Sequence, residues 1–183
     1  MHVVGISGSM RKDGNTASLV QLVLKPVEEA GISSEYISLA DKVIRPCTGC
    51  ESCKREHSCS VMDDDWADII GKVLECDVLV LGSPTYYYDI GGHLKNFIDR
   101  TYSLYHDRQL SGKSAVGVAV HADEGGERAL QTLEGFFNSH GFSFLGNVLG
   151  KGYLPGDVLQ DAAAVKSAGQ VGKKIVRLLG RQD

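Results

Sequence analysis

Residues 3–17 read Val-Val-Gly-Ile-Ser-Gly-Ser-Met-Arg-Lys-Asp-Gly-Asn-Thr-Ala, and this stretch decides the fold. Its apolar start predicts a strand, its small and polar residues predict a turn, and a helical pattern of apolar residues follows from Leu19. At a helix start, backbone N–H groups lack internal partners and the helix dipole favours negative charge. A strand, a glycine-containing turn and a helix start therefore predict an anion site.

The side chains of this turn suit a phosphate. Serine, threonine and asparagine supply neutral donors, and Arg11 supplies a fixed positive fork. The turn matches neither G-x-x-x-x-G-K-S/T nor G-x-G-x-x-G, which argues against a P-loop nucleoside triphosphatase and a dinucleotide pyrophosphate site. A terminal phosphomonoester such as that of FMN fits better, although an ordinary polar turn is the alternative. The residues predicted to bind the cofactor here are Ser7, Ser9, Met10, Arg11, Asn15, Thr16 and Ala17.

Length and composition bound the class of protein. The chain has 183 residues and a formal net charge of −4, which predicts one domain over residues 1–183 and argues against a nucleic-acid partner or an anionic membrane surface. No apolar run approaches the roughly 20 residues of a membrane span. Because Met1 leads directly into the first strand, we expect no signal peptide and a cytoplasmic protein.

Strand and helix patterns alternate along the whole chain. The later strands are predicted at Glu35–Leu39, Val78–Leu81, Ala115–Val120 and Phe142–Leu149. This alternation predicts an α/β fold: a flavodoxin-like, doubly wound, five-stranded parallel sheet of order 2-1-3-4-5 with helices on both faces. Ligands bind beyond the carboxyl ends of strands where the order reverses. The polar, glycine-containing loops after strands 1, 3 and 4 should therefore meet around one crevice.

The sequence also predicts structural roles for several single residues. Pro26 lies inside the first helical pattern and should kink or divide that helix, and Gly31 should end it. Tyr102 is expected on a buried helix stripe with Leu94, Phe97 and Ile98. We interpret Asp63, Asp64 and Asp65 as helix-capping and solvated rather than metal-binding, and Cys76 as a buried structural thiol.

Two later loops are predicted to hold a flat ring. A rigid proline turn can present backbone groups to the ring edge, and paired glycines let the backbone approach it closely. A lone histidine at a strand end is more often structural than catalytic, so no proton transfer is assigned to His121. The ring-binding residues predicted from these loops are Ser83, Pro84, Thr85, Tyr86, Tyr87, Tyr88, Asp89, His121, Gly125 and Gly126.

The sequence resembles the NAD(P)H-dependent FMN reductase branch of the flavodoxin-like superfamily. The residues that carry this resemblance are Gly8-Ser9 with Arg11, Gly14-Asn-Thr16, Gly82-Ser-Pro-Thr-Tyr-Tyr87 and Leu94-Lys-Asn-Phe-Ile-Asp-Arg100. The resemblance implies bound FMN, two-electron transfer from NADH or NADPH, and homodimers or homotetramers whose interface borders the flavin. It also implies phosphate contacts from the first loop and ring contacts from residues 84–87.

An excursion at about residues 45–62 carries a C-x2-C-x2-C-x5-C pattern, formed by Cys47, Cys50, Cys53 and Cys59. One interpretation is a [4Fe–4S] cluster on these four thiolates, because the first three follow a ferredoxin spacing. This is similar to the iron–sulfur flavoproteins. The alternatives are zinc, held by the four cysteines or with His57 replacing one of them, and free or redox-active thiols such as Cys47 with Cys50.

Three functions remain open from the sequence. The first is an FMN enzyme that passes electrons from NAD(P)H to a small acceptor such as flavin or a quinone. The second is an iron–sulfur flavoprotein that exchanges electrons with a ferredoxin-like partner. The third is a non-enzymatic binding module on the same fold, since fold does not fix function. The three polar loops argue against the third.

Overall fold

The computed structural model describes residues 1–180, and six strands form its sheet. They are β1 (His2–Ser7), β2 (Ser33–Ser38), β3 (Val78–Tyr86), β4 (Asp89–Ile90), β5 (Ser114–His121) and β6 (Ser143–Lys151). Five of them run parallel in the order β2-β1-β3-β5-β6. This confirms the predicted 2-1-3-4-5 order, because β4 is a two-residue addition that pairs antiparallel with the end of β3.

Helices cover both faces of this sheet. They are α1 (Asn15–Glu29), α2 (Cys53–Glu56), α3 (Trp66–Glu75), α4 (Gly92–Arg100), α5 (Tyr102–Tyr105), α6 (Gly126–His140) and α7 (Ala162–Leu179), with a 3-10 turn at Asp157–Gln160 before α7. Residues of α1 and α7 share one buried cluster, and residues of α3, α4 and α6 share the other. Strand β3 contributes to both clusters, since Leu79 and Leu81 face one side and Val78 and Val80 face the other.

The structure tests the expectations that Pro26 would interrupt α1 and that Gly31 would end it. Helix α1 continues through Pro26 without a break, so this proline does not divide the helix, and the alternative of a kink stays a prediction. The proline ring lies against α7, where a Cβ added at Gly172 would come within 2.9 Å of it. Gly31 follows the end of α1 with a φ of 73°, and its N–H donates to the carbonyl of Glu28, as predicted for a helix stop.

Tyr102 does not continue the buried stripe of α4. That helix ends at Arg100, and Tyr102 begins the separate short helix α5 with its side chain exposed. The buried residues of α4 are Leu94, Phe97 and Arg100. The apolar spacing misled the prediction because α4 ends at Arg100, and the N–H of Thr101 donates to the carbonyl of Ile98, three residues back, so the spacing of α4 does not continue to Tyr102.

Candidate functional site

The loop between β1 and α1 forms the tight turn that the sequence predicts. The N–H of Gly14 donates to the carbonyl of Arg11 at 3.1 Å, and the N–H of Arg11 donates to Ser9 Oγ at 3.1 Å. A Cβ at Gly14 would lie 2.9 Å from the Cβ of Arg11, so glycine is needed for this closure. No side chain caps α1 and its first turn holds no acidic residue, which leaves the helix start available to an anion.

A cleft of about 260 Å³ opens beside this turn. It brings together residues of the first loop with residues at the carboxyl end of β3, which extends through Pro84, Thr85 and Tyr86 where the sequence predicts a loop. A hydrogen bond of 2.8 Å from the N–H of Gly8 to the carbonyl of Gly82 joins the two loops at their base. The lining residues predicted from the sequence are Ser9, Arg11, Asn15, Thr16, Pro84, Thr85 and Tyr86.

Five lining residues were not among the predicted cofactor residues: Gly14, Val120, Ala122, Gly152 and Tyr153. The last two belong to the connection after β6, which the sequence presents only as a link to the closing helix. Arg11 Nη1 donates to the carbonyl of Tyr153 at 3.0 Å, and Asn15 Nδ2 donates to the carbonyl of Leu154 at 2.9 Å. Two predicted phosphate ligands therefore also fasten residues 153–154 against the first loop.

The hydroxyl of Thr85 lies buried in this cleft. Its Oγ1 has no hydrogen-bond partner among residues 1–180. A buried hydroxyl without a partner costs roughly 1–3 kcal/mol, and an acceptor placed beside Thr85 Oγ1 would offset that cost. The uncapped helix start and this hydroxyl both fit a cofactor that carries a phosphate at one end and polar ring edges at the other.

The remaining predicted cofactor residues do not line the cleft. Ser83 Oγ is engaged within its own loop, donating to the carbonyl of Pro84 and accepting from the N–H of Gly91. His121 Nδ1 accepts from the N–H of Gly126 at 3.3 Å, which ties the strand end to the start of α6. The others that lie outside the lining are Ser7, Met10, Ala17, Tyr87, Tyr88, Asp89 and Gly125. Their roles stay predictions.

A two-residue turn between β3 and β4 exposes two aromatic side chains to solvent. Tyr87 and Tyr88 occupy it with φ values of 49° and 66°, the left-handed region that glycine and asparagine favour in such turns. We call residues 85–90 the aromatic hairpin. Tyr88 Oη donates to Glu124 Oε1 at 2.6 Å, and a Cβ at Gly125 would lie 2.7 Å from its ring. The loop after β5 therefore supports this hairpin.

Replacing Tyr87 with glycine should stabilise the protein. The side chain is 99% exposed and its φ is 49°, so the change relieves backbone strain without removing packing. The expected gain is up to about 1 kcal/mol in the free energy of unfolding, measured by urea denaturation. Tyr153→Gly is the control, since Tyr153 is exposed without a left-handed backbone. An equal gain in stability in both variants would show that backbone strain at Tyr87 is not the cause.

The four clustered cysteines line a second cavity, of about 160 Å³, which we call the cysteine pocket. All five cysteines of the chain are free thiols. The pocket lies between the excursion and the end of α4, and its other walls include the exposed ring of Tyr102. Its lining comprises Cys47, Thr48, Gly49, Cys50, Glu51, Cys53, Cys59, Ser60, Val61, Arg100, Tyr102 and Ser103.

The thiols of this pocket differ in acidity. Hydrogen bonds from Ser52 and Ser60 lower the pKa of Cys50 to about 6. Burial, followed by the charges of the neighbouring thiols, raises the pKa of Cys53. Cys76 lies apart, and burial raises its pKa to about 11, as expected of a structural thiol. Thiolates are the metal-binding and nucleophilic form of cysteine, and the lowered pKa of Cys50 favours its thiolate at neutral pH.

A buried ion pair closes the floor of the cysteine pocket. Arg100 is 1% exposed; its Nη1 donates to Asp64 Oδ2 and its Nη2 donates to the carbonyl of Val61. Its guanidinium carbon lies 4.6 Å from the ring centroid of Trp66. Asp64 is therefore not solvated, contrary to the interpretation from the sequence, whereas Asp63 pairs with Arg45 at the surface. Sequence reasoning missed Arg100 as a pocket residue.

Two further features of residues 1–180 concern metal ions and membranes. Within these residues, no group of three or more His, Cys, Asp or Glu side chains is placed to hold a metal ion. None of the helices in the same residues combines the length and the apolar character that crossing a membrane requires.

Comparison with known proteins places the chain in a family. A family model described as NADPH-dependent FMN reductase matches residues 1–152. An iron–sulfur flavoprotein of Methanocaldococcus jannaschii is 38% identical, over 98% of this chain and 97% of the relative. A Bacillus subtilis protein named as an NAD(P)H-dependent FMN-containing oxidoreductase is 32% identical, over 100% of this chain and 99% of the relative.

Solved structures agree with the fold. The structure of the Trp repressor binding protein from Bacillus subtilis has a TM-score of 0.69 at 30% identity, covering 92% of this chain and 96% of that chain. A flavodoxin from the domain Archaea has a TM-score of 0.60 at 16% identity, covering 96% of this chain and 99% of that chain. The sheet order, the two-loop cleft and these matches together lead to one conclusion: the chain belongs to the NADPH-dependent FMN reductase family and is an NAD(P)H-dependent FMN oxidoreductase.

Proposed function

We propose that the cleft between the first and third loops binds FMN and that the enzyme passes electrons from NAD(P)H to a small acceptor such as free flavin or a quinone. The observation that carries this proposal is the cleft itself. It unites an uncapped helix start, the Arg11 guanidinium and the buried Thr85 hydroxyl in one opening. A phosphate and a polar ring edge are the two chemical groups that this arrangement accommodates.

In this proposal the residues of the first loop hold the phosphate. The backbone N–H groups at the start of α1 and the side chains of Ser9 and Thr16 donate to its oxygens, and Arg11 compensates its charge. Pro84, Thr85 and Tyr86 lie against the ring, with Thr85 Oγ1 donating to a polar ring atom. Bound FMN would supply the hydride chemistry, and the protein supplies position and electrostatics.

The aromatic hairpin lies at the edge of this site. Tyr86 lines the cleft, whereas Tyr87 and Tyr88 face solvent beside it. Strain in two adjacent residues is kept only where the surroundings or a function demand it. We propose that this hairpin meets the nicotinamide substrate or a second copy of the chain, which agrees with the homodimer or homotetramer that we predict from the sequence.

The test of the proposal is anaerobic reconstitution. The chain is mixed with FMN, the unbound flavin is removed, and the visible spectrum is recorded before and after NADH or NADPH is added. We expect retained flavin bands that bleach with at least one nicotinamide and return with a quinone. A chain that retains no FMN, or holds FMN that neither nicotinamide bleaches, would overturn it.

A second candidate function is favoured by the cysteine pocket. We propose that Cys47, Cys50, Cys53 and Cys59 hold a [4Fe–4S] cluster that exchanges single electrons with a ferredoxin-like partner. The support is that all four thiols line one cavity, and that relatives such as the Methanocaldococcus jannaschii protein are named iron–sulfur flavoproteins. A four-iron cluster needs separated thiolates around a volume, not ligands that meet at one ion.

Replacing Cys59 with serine should lower the iron content sharply if this second function is correct. Cys59 lines the pocket, and a cluster that loses one of four thiolate ligands is weakened or lost. The measurement is iron and acid-labile sulfide per chain after anaerobic purification. Cys76→Ala is the matched control, since Cys76 lies outside the pocket. Equal iron in wild type, Cys59→Ser and Cys76→Ala would remove Cys59 from the ligand set.

A further inference from the structure

The cysteine pocket contains one buried cation, and its hydrogen bonding is incomplete. Arg100 lines the pocket at 1% exposure. Its two terminal nitrogens are engaged by Asp64 and the carbonyl of Val61. Its Nε has no hydrogen-bond partner among the described residues, although the atom is buried. A buried N–H on a charged group without a partner is costly, which indicates that the pocket normally supplies an acceptor.

The position of Arg100 is fixed from three sides. The ring of Trp66 covers the guanidinium, and Trp66 Nε1 in turn donates to the carbonyl of Phe97 at 3.0 Å. Asp64 accepts from the backbone N–H groups of Arg45 and Trp66 as well as from Arg100. A guanidinium held this firmly acts as a permanent charge, and solvent and salt screen it little at this depth.

Helix α4 connects this charge to the flavin cleft. It begins at Gly92, directly after the aromatic hairpin, and ends at Arg100. A helix of nine residues is about 13 Å long, so the two sites lie at opposite ends of one short rigid element. The charge at the end of α4 therefore lies on the wall of the cysteine pocket and outside the lining of the cleft.

We propose that Arg100 is a positioning residue that sets the reduction potential of the iron–sulfur group in the cysteine pocket. Reduction adds one negative charge to that group. The fixed positive charge and the Nε–H stabilise the reduced form more than the oxidised form, which raises the potential. Asp64 acts in the opposite direction, because its negative charge partly cancels that of Arg100. This inference rests on the second proposed function.

The experiment compares charge variants of the anaerobically purified full chain. Iron and sulfide per chain are measured first, and the potential is then measured by redox titration followed by electron paramagnetic resonance. For Arg100→Gln we expect the equilibrium constant for reduction to fall about tenfold, a shift of about 59 mV to lower potential for one electron. For Asp64→Asn we expect a shift to higher potential. Arg100→Lys, which keeps the charge, should stay nearer to wild type than Arg100→Gln.

The opposite signs separate an electrostatic role from a structural one. Damage to the pocket would move both variants in the same direction or lower their iron together. Arg108→Gln is the control for loss of an arginine, since Arg108 stacks on Tyr105 and donates to Ser139 outside the pocket. If Arg100→Gln fails to fold, the test rests on Asp64→Asn, whose potential should shift upward, and on Arg100→Lys, whose potential should stay near that of wild type.

Failure of this inference is distinct from failure of the proposed function. A wild-type chain without iron and sulfide would overturn both the cluster and the role of Arg100. A wild-type chain with a full cluster, whose potential is unchanged in Arg100→Gln and Asp64→Asn, would overturn the role of Arg100 alone.

Discussion

Arg11→Glu is expected to weaken FMN binding by about a hundredfold, which corresponds to about 2.7 kcal/mol. The change removes a charge-assisted donor to the phosphate and places a carboxylate beside the helix start. Riboflavin lacks the phosphate, so its affinity should stay within about twofold of the wild-type value. Titration of each flavin, followed by quenching of its fluorescence, measures both affinities. The difference between the two ligands assigns the effect to the phosphate rather than to the ring.

The control for this variant is the neighbouring residue. Lys12→Glu makes the same change of net charge, but Lys12 is exposed, pairs with Asp41 at 2.7 Å and does not line the cleft. It should weaken FMN binding far less than Arg11→Glu. Equal losses of FMN affinity in the two variants would mean that the added negative charge repels the phosphate wherever it is placed near the first loop. Equal losses of FMN and riboflavin in Arg11→Glu would place the phosphate elsewhere.

Asp64→Ala should destabilise the folded protein by about 3–5 kcal/mol, because it leaves the buried guanidinium of Arg100 without its counter-charge. Both side chains of this pair are 0% exposed. The loss is measured as the change in free energy of unfolding from urea denaturation. Asp63→Ala is the matched control one residue away: its pair with Arg45 lies at the surface and should contribute less than about 1 kcal/mol. Similar losses in both variants would show that Arg100 is stabilised by other groups.

The same carboxylate should make stability depend on pH. Burial raises the pKa of Asp64, but hydrogen bonds from the backbone N–H of Arg45, from Arg100 and from the N–H of Trp66 outweigh it and lower the pKa below its usual value. A carboxylate with a lowered folded-state pKa stabilises the protein above its unfolded pKa of about 3.9, and this stability is lost as the pH falls through the folded value. Asp64→Ala should therefore show a weaker loss of stability below about pH 4 than wild type.

The sequence predicts the sheet and the cleft because both depend on local patterns. Apolar runs mark the five long strands, and the reversal of strand order puts the loops after the first and third strands side by side. Ser9, Arg11 and Thr16 line the cleft for that reason, together with Pro84 and Thr85. The family resemblance, carried by residues of these same loops, is confirmed by the match over residues 1–152.

The features that the sequence does not predict depend on non-local contacts. A two-residue hairpin turn is normally recognised in a sequence by Asn-Gly or a related pair. Because two tyrosines occupy this turn, the sequence gives no signal for the two-residue strand β4. Arg100 lies three residues after Phe97, on the buried face of α4. A charged residue at such a position can be predicted as buried only when its partner of opposite charge is known. That partner, Asp64, comes from a run of three similar aspartates.

The hydrogen bonds from the first loop to residues 153–154 affect when the cofactor can be acquired. A ribosome releases the turn between β1 and α1 early in synthesis, but Tyr153, which completes one wall of the cleft and whose carbonyl accepts from Arg11, follows about 140 residues later. A nascent chain that ends before this point presents the turn without that wall. We therefore expect flavin loading to be a late event in the maturation of this protein, after residues 153–154 and the packing of α7 against α1 are in place.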